Sequence, residues 1–163
     1  MQDPVASETA GAERQEVQLA CFRVGGELYA LDIMSIREII RPQKLTTIPK
    51  APRFIEGVIN LRGAVIPVAD LRKRFDQPCG EESRKNRIII CAVKGRIVGL
   101  LVDEVLEVRR CGRQDVAPAP QFLKGPEAEF FLGVARRGDD LVMVIDLDRL
   151  LSTDEQIALQ KLE

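Results

Sequence analysis

Asp70 and Asp146 are the residues best placed by type and spacing to do acid–base chemistry. Each closes an apolar run just ahead of a Leu, one in each half of the chain. The chain contains no His, which removes the commonest general base and metal ligand and any Ser-His-Asp or Cys-His nucleophile. Carboxylate chemistry stays open, but an Asp at a strand end equally suits a cap on the following turn, and that duller role is favoured. Asp103-Glu104 reads as a solvated corner between two strands rather than a metal ligand. Cys21, Cys79, Cys91 and Cys111 have no CxxC spacing and read as free thiols of a reducing compartment, with no metal site. Cys91, inside IIICAV, reads as a small core residue. With no Walker loop and no GxGxxG, no cofactor is predicted.

Basic clusters are the second source of chemistry: Arg72-Lys73-Arg74, Arg84-Lys85, Arg109-Arg110 and Arg136-Arg137. Small β-barrels that bind RNA supply stacking aromatics among such residues. Here aromatics are 4% and net charge is −1, so no nucleic-acid partner is predicted. Protein contact remains. Arg62 projects from an Arg-Gly turn between two apolar runs, and its flat guanidinium suits an interface; a solvated turn Arg is the alternative. Ile36, Ile39 and Ile40 with Arg37 and Glu38 form a short amphipathic patch, of which at least two Ile are expected in the core.

These residues must be carried by strands. The 163 residues suffice for one well-buried domain or two very small fused ones, and 45% apolar with 30% charged residues is ordinary for a globular chain. No apolar run is long enough to span a bilayer, and the N-terminus lacks the apolar stretch of an export signal. Strand-like segments cover 17–24, 28–33, 57–62, 64–68, 87–94, 96–103, 104–110, 131–136 and 141–145. Many are unbroken apolar runs, which implies strands buried on both faces or closing a small barrel, with aliphatic cores. Pro67 has no N–H for a ladder bond, so it belongs at an edge or bulge. Residues 35–40 are expected to form one or two helical turns before Pro42. A C-terminal helix is predicted over 152–163, opened by a Ser152/Glu155 capping box. Residues 1–15, small and polar, are predicted to be a disordered extension.

The chain repeats itself. VGGELYAL from Val24 resembles VKGRIVGL from Val93. The Gly57 and Ile66–Leu71 pattern returns from Gly133 and Met143. Two matches in the same order imply two related modules of about five strands, each curled into a small barrel. The modules span roughly 17–76 and 87–150, with exchange of strands between them left open.

Over 16–151 the chain resembles the CheW-like coupling domain of bacterial chemotaxis. The matching residues are Phe22, Gly26-Glu27, Tyr29–Ile33, Ile36–Ile39, Ile48-Pro49, Pro52, Phe54–Gly63 (FIEGVINLRG), Ile66–Val68, Asp70–Arg72, Gly99, Val102-Asp103 and Val105, in the family's order and at similar spacing. The resemblance implies an all-β fold of two five-stranded SH3-like barrels side by side. It implies a non-enzymatic cytoplasmic adaptor, a monomer when isolated and recruited to membrane receptor arrays without inserting. Its partners would be the cytoplasmic tips of methyl-accepting chemoreceptors and a histidine kinase regulatory domain of similar fold. The receptor-facing residues would be Ile36, Glu38, Ile39 and Arg62, with Val98 near the groove between barrels. A carboxylate enzyme using Asp70 or Asp146 and an RNA-binding barrel are the alternatives.

Overall fold

Apolar residues alternate along every long strand between two destinations, and this alternation builds the molecule. The computed structural model describes residues 16–78, 80–118 and 129–150. In chain order the strands are β1 (Glu16–Val24), β2 (Glu27–Asp32), β3 (Ile36–Ile40), β4 (Ile55–Leu61), β5 (Ala64–Asp70), β6 (Arg87–Val93), β7 (Arg96–Val102), β8 (Glu104–Gly112), β9 (Phe131–Arg137) and β10 (Asp140–Ile145). Single helical turns α1 (Leu71–Arg74) and α2 (Leu147–Leu150) follow β5 and β10, and 3-10 turns lie at Ile33–Ser35 and Arg113–Asp115. The strands form two five-stranded sheets in the orders β8-β1-β2-β10-β9 and β3-β6-β7-β5-β4. The first is called sheet A below, the second sheet B.

Sheet B is one contiguous stretch of chain, whereas sheet A joins the N-terminal hairpin to the last three strands. In terms of the repeat, each sheet takes β1–β2 or β6–β7 from one half and three strands from the other. The division at 17–76 and 87–150 therefore follows the sequence and not the sheets: the hairpins are exchanged. The exchange is sealed by parallel pairings. Tyr29 and Ala30 pair with Met143 and Val144 in sheet A. Val68, Ala69 and Asp70 pair with Gly99, Leu100 and Leu101 in sheet B. Pro67 lies just before this second seam, where β5 is paired with β4 alone, so its missing N–H costs no ladder bond.

Neither sheet closes into a full barrel by its ladders; each is an open, SH3-like barrel whose edges are joined by a short bridge. Past β3, Thr46 exchanges two backbone bonds with Val58 of β4, both 2.9 Å. Past β8, Ala117 does the same with Val134 of β9, at 2.9 and 2.7 Å. The glycines repeated in the sequence explain themselves here. A Cβ at Gly57 would lie 2.4 Å from the Thr46 carbonyl oxygen, and one at Gly133 would lie 2.2 Å from that of Ala117.

Three apolar clusters result. Leu19, Cys21, Leu28, Ala30, Ala135, Val142 and Val144 fill barrel A. Ile59, Ile66, Val68, Ile88 and Ile90 fill barrel B. The opposite faces of the same strands meet between the barrels in a larger cluster that includes Phe22, Tyr29, Leu31, Ile89, Cys91, Val98 and Leu100. Strands buried on both faces are thus what the unbroken runs reported. The barrel interiors are aliphatic as expected, but the contact between barrels gathers the aromatics: Tyr29 stacks on Phe75 at 4.7 Å, with Phe22, Phe130 and Phe131 around them. Beside this cluster Arg74 of α1 lies over the rings of Phe54 and Phe130, 4.9 and 4.5 Å from their centres. Its Nε–H donates to the Leu150 carbonyl at 2.9 Å.

The strands expected from the sequence are found within a few residues. The helical turns expected over 35–40 are not. Residues Ile33–Ser35 form a 3-10 turn capped by the Asp32 carboxylate, which accepts from the Met34 N–H, and Ile36–Ile40 is strand β3, paired with β6. Residues 1–15 and the predicted helix over 152–163 lie outside the described residues. No described helix is long and apolar enough to cross a membrane.

Candidate protein-docking face

Arg62 owes its position to the turn between β4 and β5. Leu61 pairs with Ala64, so only Arg62 and Gly63 form the connection. They take φ of +51° and +88°, the left-handed pair that matches strand twist in a tight hairpin. The Gly63 N–H donates to Asn60 Oδ1 at 2.9 Å, so the turn holds itself and leaves the Arg62 side chain 70% exposed. Its guanidinium pairs with Glu38 of β3, on a different strand of the same sheet. That contact sets the hairpin tip beside β3, and next to Glu38 the Ile39 side chain stands 41% exposed. Val65, just past the turn, is 54% exposed. Exposed aliphatics around a solvent-facing ion pair can bind a protein surface: the apolar atoms supply desolvation and the charges supply orientation.

The predicted residues do not all gather here. Glu38 and Arg62 come together; Ile39, the next residue of β3, stands on the strand's other face, where it lines the groove between the barrels. Ile36 is half-buried and packs on the central cluster, beyond an irregularity in the β3–β6 register that falls between Ile36 and Glu38. Val98 is corrected: at 1% exposure it is a core residue, two strands behind Ile36 through Cys91 in the same register. A shallow groove of about 360 Å³ does run between the barrels, and it is lined by Ile39, Lys85, Arg87, Glu104 and Val105.

Sequence reading missed a second copy of this arrangement. Glu107, at the repeat position of Glu38, pairs with Arg137 at the β9–β10 hairpin. Val108 and Leu141, at the repeat positions of Ile39 and Val65, are 56% and 61% exposed. The spacing of the repeated motifs would have located all three had it been carried past the glycines.

The carboxylates have structural duties. Asp70 is 2% exposed; its Oδ1 accepts from the Arg72 N–H at 2.9 Å and its Oδ2 pairs with the Arg72 guanidinium at 3.0 Å. Asp146 pairs with Arg149 at 3.5 Å, and its carbonyl accepts from the Leu150 N–H. Asp103 is no solvated corner. It accepts from the Gly25 N–H at 2.7 Å and pairs with Arg72 at 3.5 Å, tying the β1–β2 turn of sheet A to α1 beside sheet B. Glu104 pairs with Arg23 and Lys85. Cys21 and Cys91 are buried and Cys111 half-exposed. Burial raises all three thiol pKa values, that of Cys91 to about 12, so they are poor nucleophiles near neutral pH.

Two strand-exchanged barrels bearing exposed aliphatic and ion-pair faces, with their carboxylates spent on turns and ties, define a protein-binding scaffold. The CheW-like domain model matches residues 18–155, and the chain belongs to that family. It is 36% identical over 153 residues to the chemotaxis protein CheW of Treponema pallidum, covering 91% of this chain and 88% of that protein. It is also 36% identical to CheW of Rhizobium meliloti over 141 residues, 86% of this chain and 91% of that one. The crystal structure of the scaffolding protein TtCheW from Thermoanaerobacter tengcongensis superposes with a TM-score of 0.78 at 37% identity, covering 85% of this chain and 94% of the other. The chain is accordingly a chemotaxis adaptor of the scaffold type, not an enzyme.

Proposed function

We propose that this adaptor couples the cytoplasmic tips of methyl-accepting chemoreceptors to the regulatory domain of a histidine kinase. It works in the cytoplasm as a monomer recruited to receptor arrays. Family membership supports the class of partner, and the exposed Glu38–Arg62 pair, with Ile39 exposed on the groove side of the same strand, is the observation that carries the residue-level reading. Glu38, Ile39 and Arg62 form the receptor-facing surface, with Ile36 at its buried margin. A largely exposed ion pair adds little to stability, whereas an Arg in a desolvated interface is worth about 2 kcal/mol, roughly thirty-fold in affinity.

The test pairs melting with binding. Arg62→Ala melts within about 4 °C of the parent and binds a receptor signalling fragment or the kinase regulatory domain roughly thirty-fold more weakly. Unchanged binding to both would return Arg62 to a solvated turn residue.

A further inference from the structure

The open mouth of barrel B forms a groove of about 840 Å³, within the size range of ligand clefts, and the face around Arg62 makes no use of it. Its floor is apolar: Leu45, Ile88 and Leu101. Arg41 and Arg84 stand exposed on its rim. Arg87 beside them is locked by two donations from Nη1, to the carbonyls of Arg84 and Asn86, both 2.7 Å. Against these charges the groove offers Glu82, while Arg72, also on its wall, is already paired with Asp70 and Asp103.

Asn86 adds a side-chain amide that opens onto the groove, with neither polar atom sealed from solvent. The residue as a whole is 7% exposed, and its side-chain amide makes no hydrogen bond among the described residues. The pseudo-equivalent mouth of barrel A is smaller, about 410 Å³. It keeps the floor, with Leu19 at the repeat position of Ile88, and the rim, with Arg110 at that of Arg41. The repeat position of Asn86 is Val17, so a barrel mouth of this kind forms without an amide there.

We propose that the mouth of barrel B binds a short acidic, aliphatic peptide segment of a partner protein. The amide of Asn86 donates to and accepts from the peptide backbone, as a carboxamide can on both sides. Carboxylates meet the forks of Arg41 and Arg84, and an aliphatic side chain covers Leu45, Ile88 and Leu101. Concavity and the side-chain amides of Gln43 and Asn86 favour a peptide over a flat anionic membrane. The site is separate from the Glu38–Arg62 face, and the test below involves neither receptor nor kinase.

The probe is the hexapeptide acetyl-Glu-Leu-Glu-Ile-Glu-Leu-amide, titrated into the full-length protein and followed by amide chemical shifts. The expected result is saturable shifts centred on Asn86, Ile88 and Leu101. Affinity falls about tenfold in the Arg41→Glu/Arg84→Glu variant, whose sites are exposed, and is unchanged by Arg110→Glu at the other mouth. Asn86→Leu weakens binding further if it folds; the arginine variant decides the matter if it does not. Any of four results overturns the proposal: no localised shifts, equal binding of hexaglutamate, equal loss with Arg110→Glu, or displacement of the peptide by phosphatidylglycerol vesicles, which would assign the groove to lipid.

Discussion

Sheets A and B are built from equivalent strands in the same order, yet they differ in how the chain reaches them. Sheet B is threaded by one continuous run from β3 to β7, so its pairings close over short and moderate loops. Sheet A must hold an N-terminal hairpin against strands from the far end of the chain, as the pairing of Tyr29 with Met143 requires. Loop closure delays such pairings. Equal architecture therefore need not mean equal order of assembly: sheet B can form while sheet A waits for both ends of the chain.

The largest effects should come from equivalent residues inside the two barrels. Ile88 and Leu19 share a repeat position and are 1% and 3% exposed. Ile88→Ala and Leu19→Ala should each cost about 2–5 kcal/mol in denaturant unfolding. If sheet B leads, Ile88→Ala slows folding while Leu19→Ala mainly speeds unfolding. The reverse partition in stopped-flow chevrons would sink the proposed order. Next come the closing bridges. Gly133→Ala and Gly57→Ala each drive a Cβ into a backbone carbonyl and should cost about 1–3 kcal/mol by calorimetry, with Gly133 at least as sensitive. A neutral result at either would mean that barrel closes without its bridge.

Alkaline pH probes the cluster that the two sheets share. Cys91 has a folded pKa pushed to about 12 from a reference of 9.0. Between these values the unfolded chain has released the proton that the folded chain still holds, so stability falls as pH rises. The contribution is complete below pH 9 and declines by at most about 1.4 kcal/mol per pH unit up to about 12. Cys91→Ala should flatten that decline, and an unaltered slope would show that the thiol does not report on the core. The smallest effects belong to the exposed pairs: Arg62→Ala and Arg137→Ala should each change stability by less than about 1 kcal/mol. Comparing their binding losses asks whether the two equivalent faces serve one partner or two.

How far the sequence disclosed all this depended on whether a residue's role was internal. Strand runs, turn glycines and the repeat were legible because burial and backbone geometry write them locally. β3 was misread for a physical reason. Ile36, Ile39 and Ile40 have helical spacing only if all three are buried, and Ile39 is not; on a strand Ile36 packs on the central cluster and Ile40 inside barrel B. An apolar residue kept outside spoiled the period, and it lines the groove between the barrels. Arg62 was legible because its turn is. Glu38 and Ile39 stood in the amphipathic patch but were assigned to a receptor only through family resemblance, and Val98, expected between the barrels and found in the cluster there, was taken for a contact residue because an aliphatic in an apolar run carries no sign of how fully it is covered. The exchange of hairpins left no local trace at all, since either connection satisfies the same strands.

The Arg74 side chain lies between Phe54 and Phe130, which occupy the same repeat position, and it bonds the carbonyl of Leu150, its own counterpart. Residues that meet their own counterparts lie close to the pseudo-twofold axis. An assembly of two identical half-chains would have to put the same residue on both sides of that axis. Two arginines there would repel, and two leucines would leave the carbonyl without its charged donor. Covalent fusion of the halves lifts that constraint, because each side is then encoded separately. The same freedom reaches the rims, where Asn86 and Val17 already differ, so a duplicated fold could become one molecule with two unlike ends.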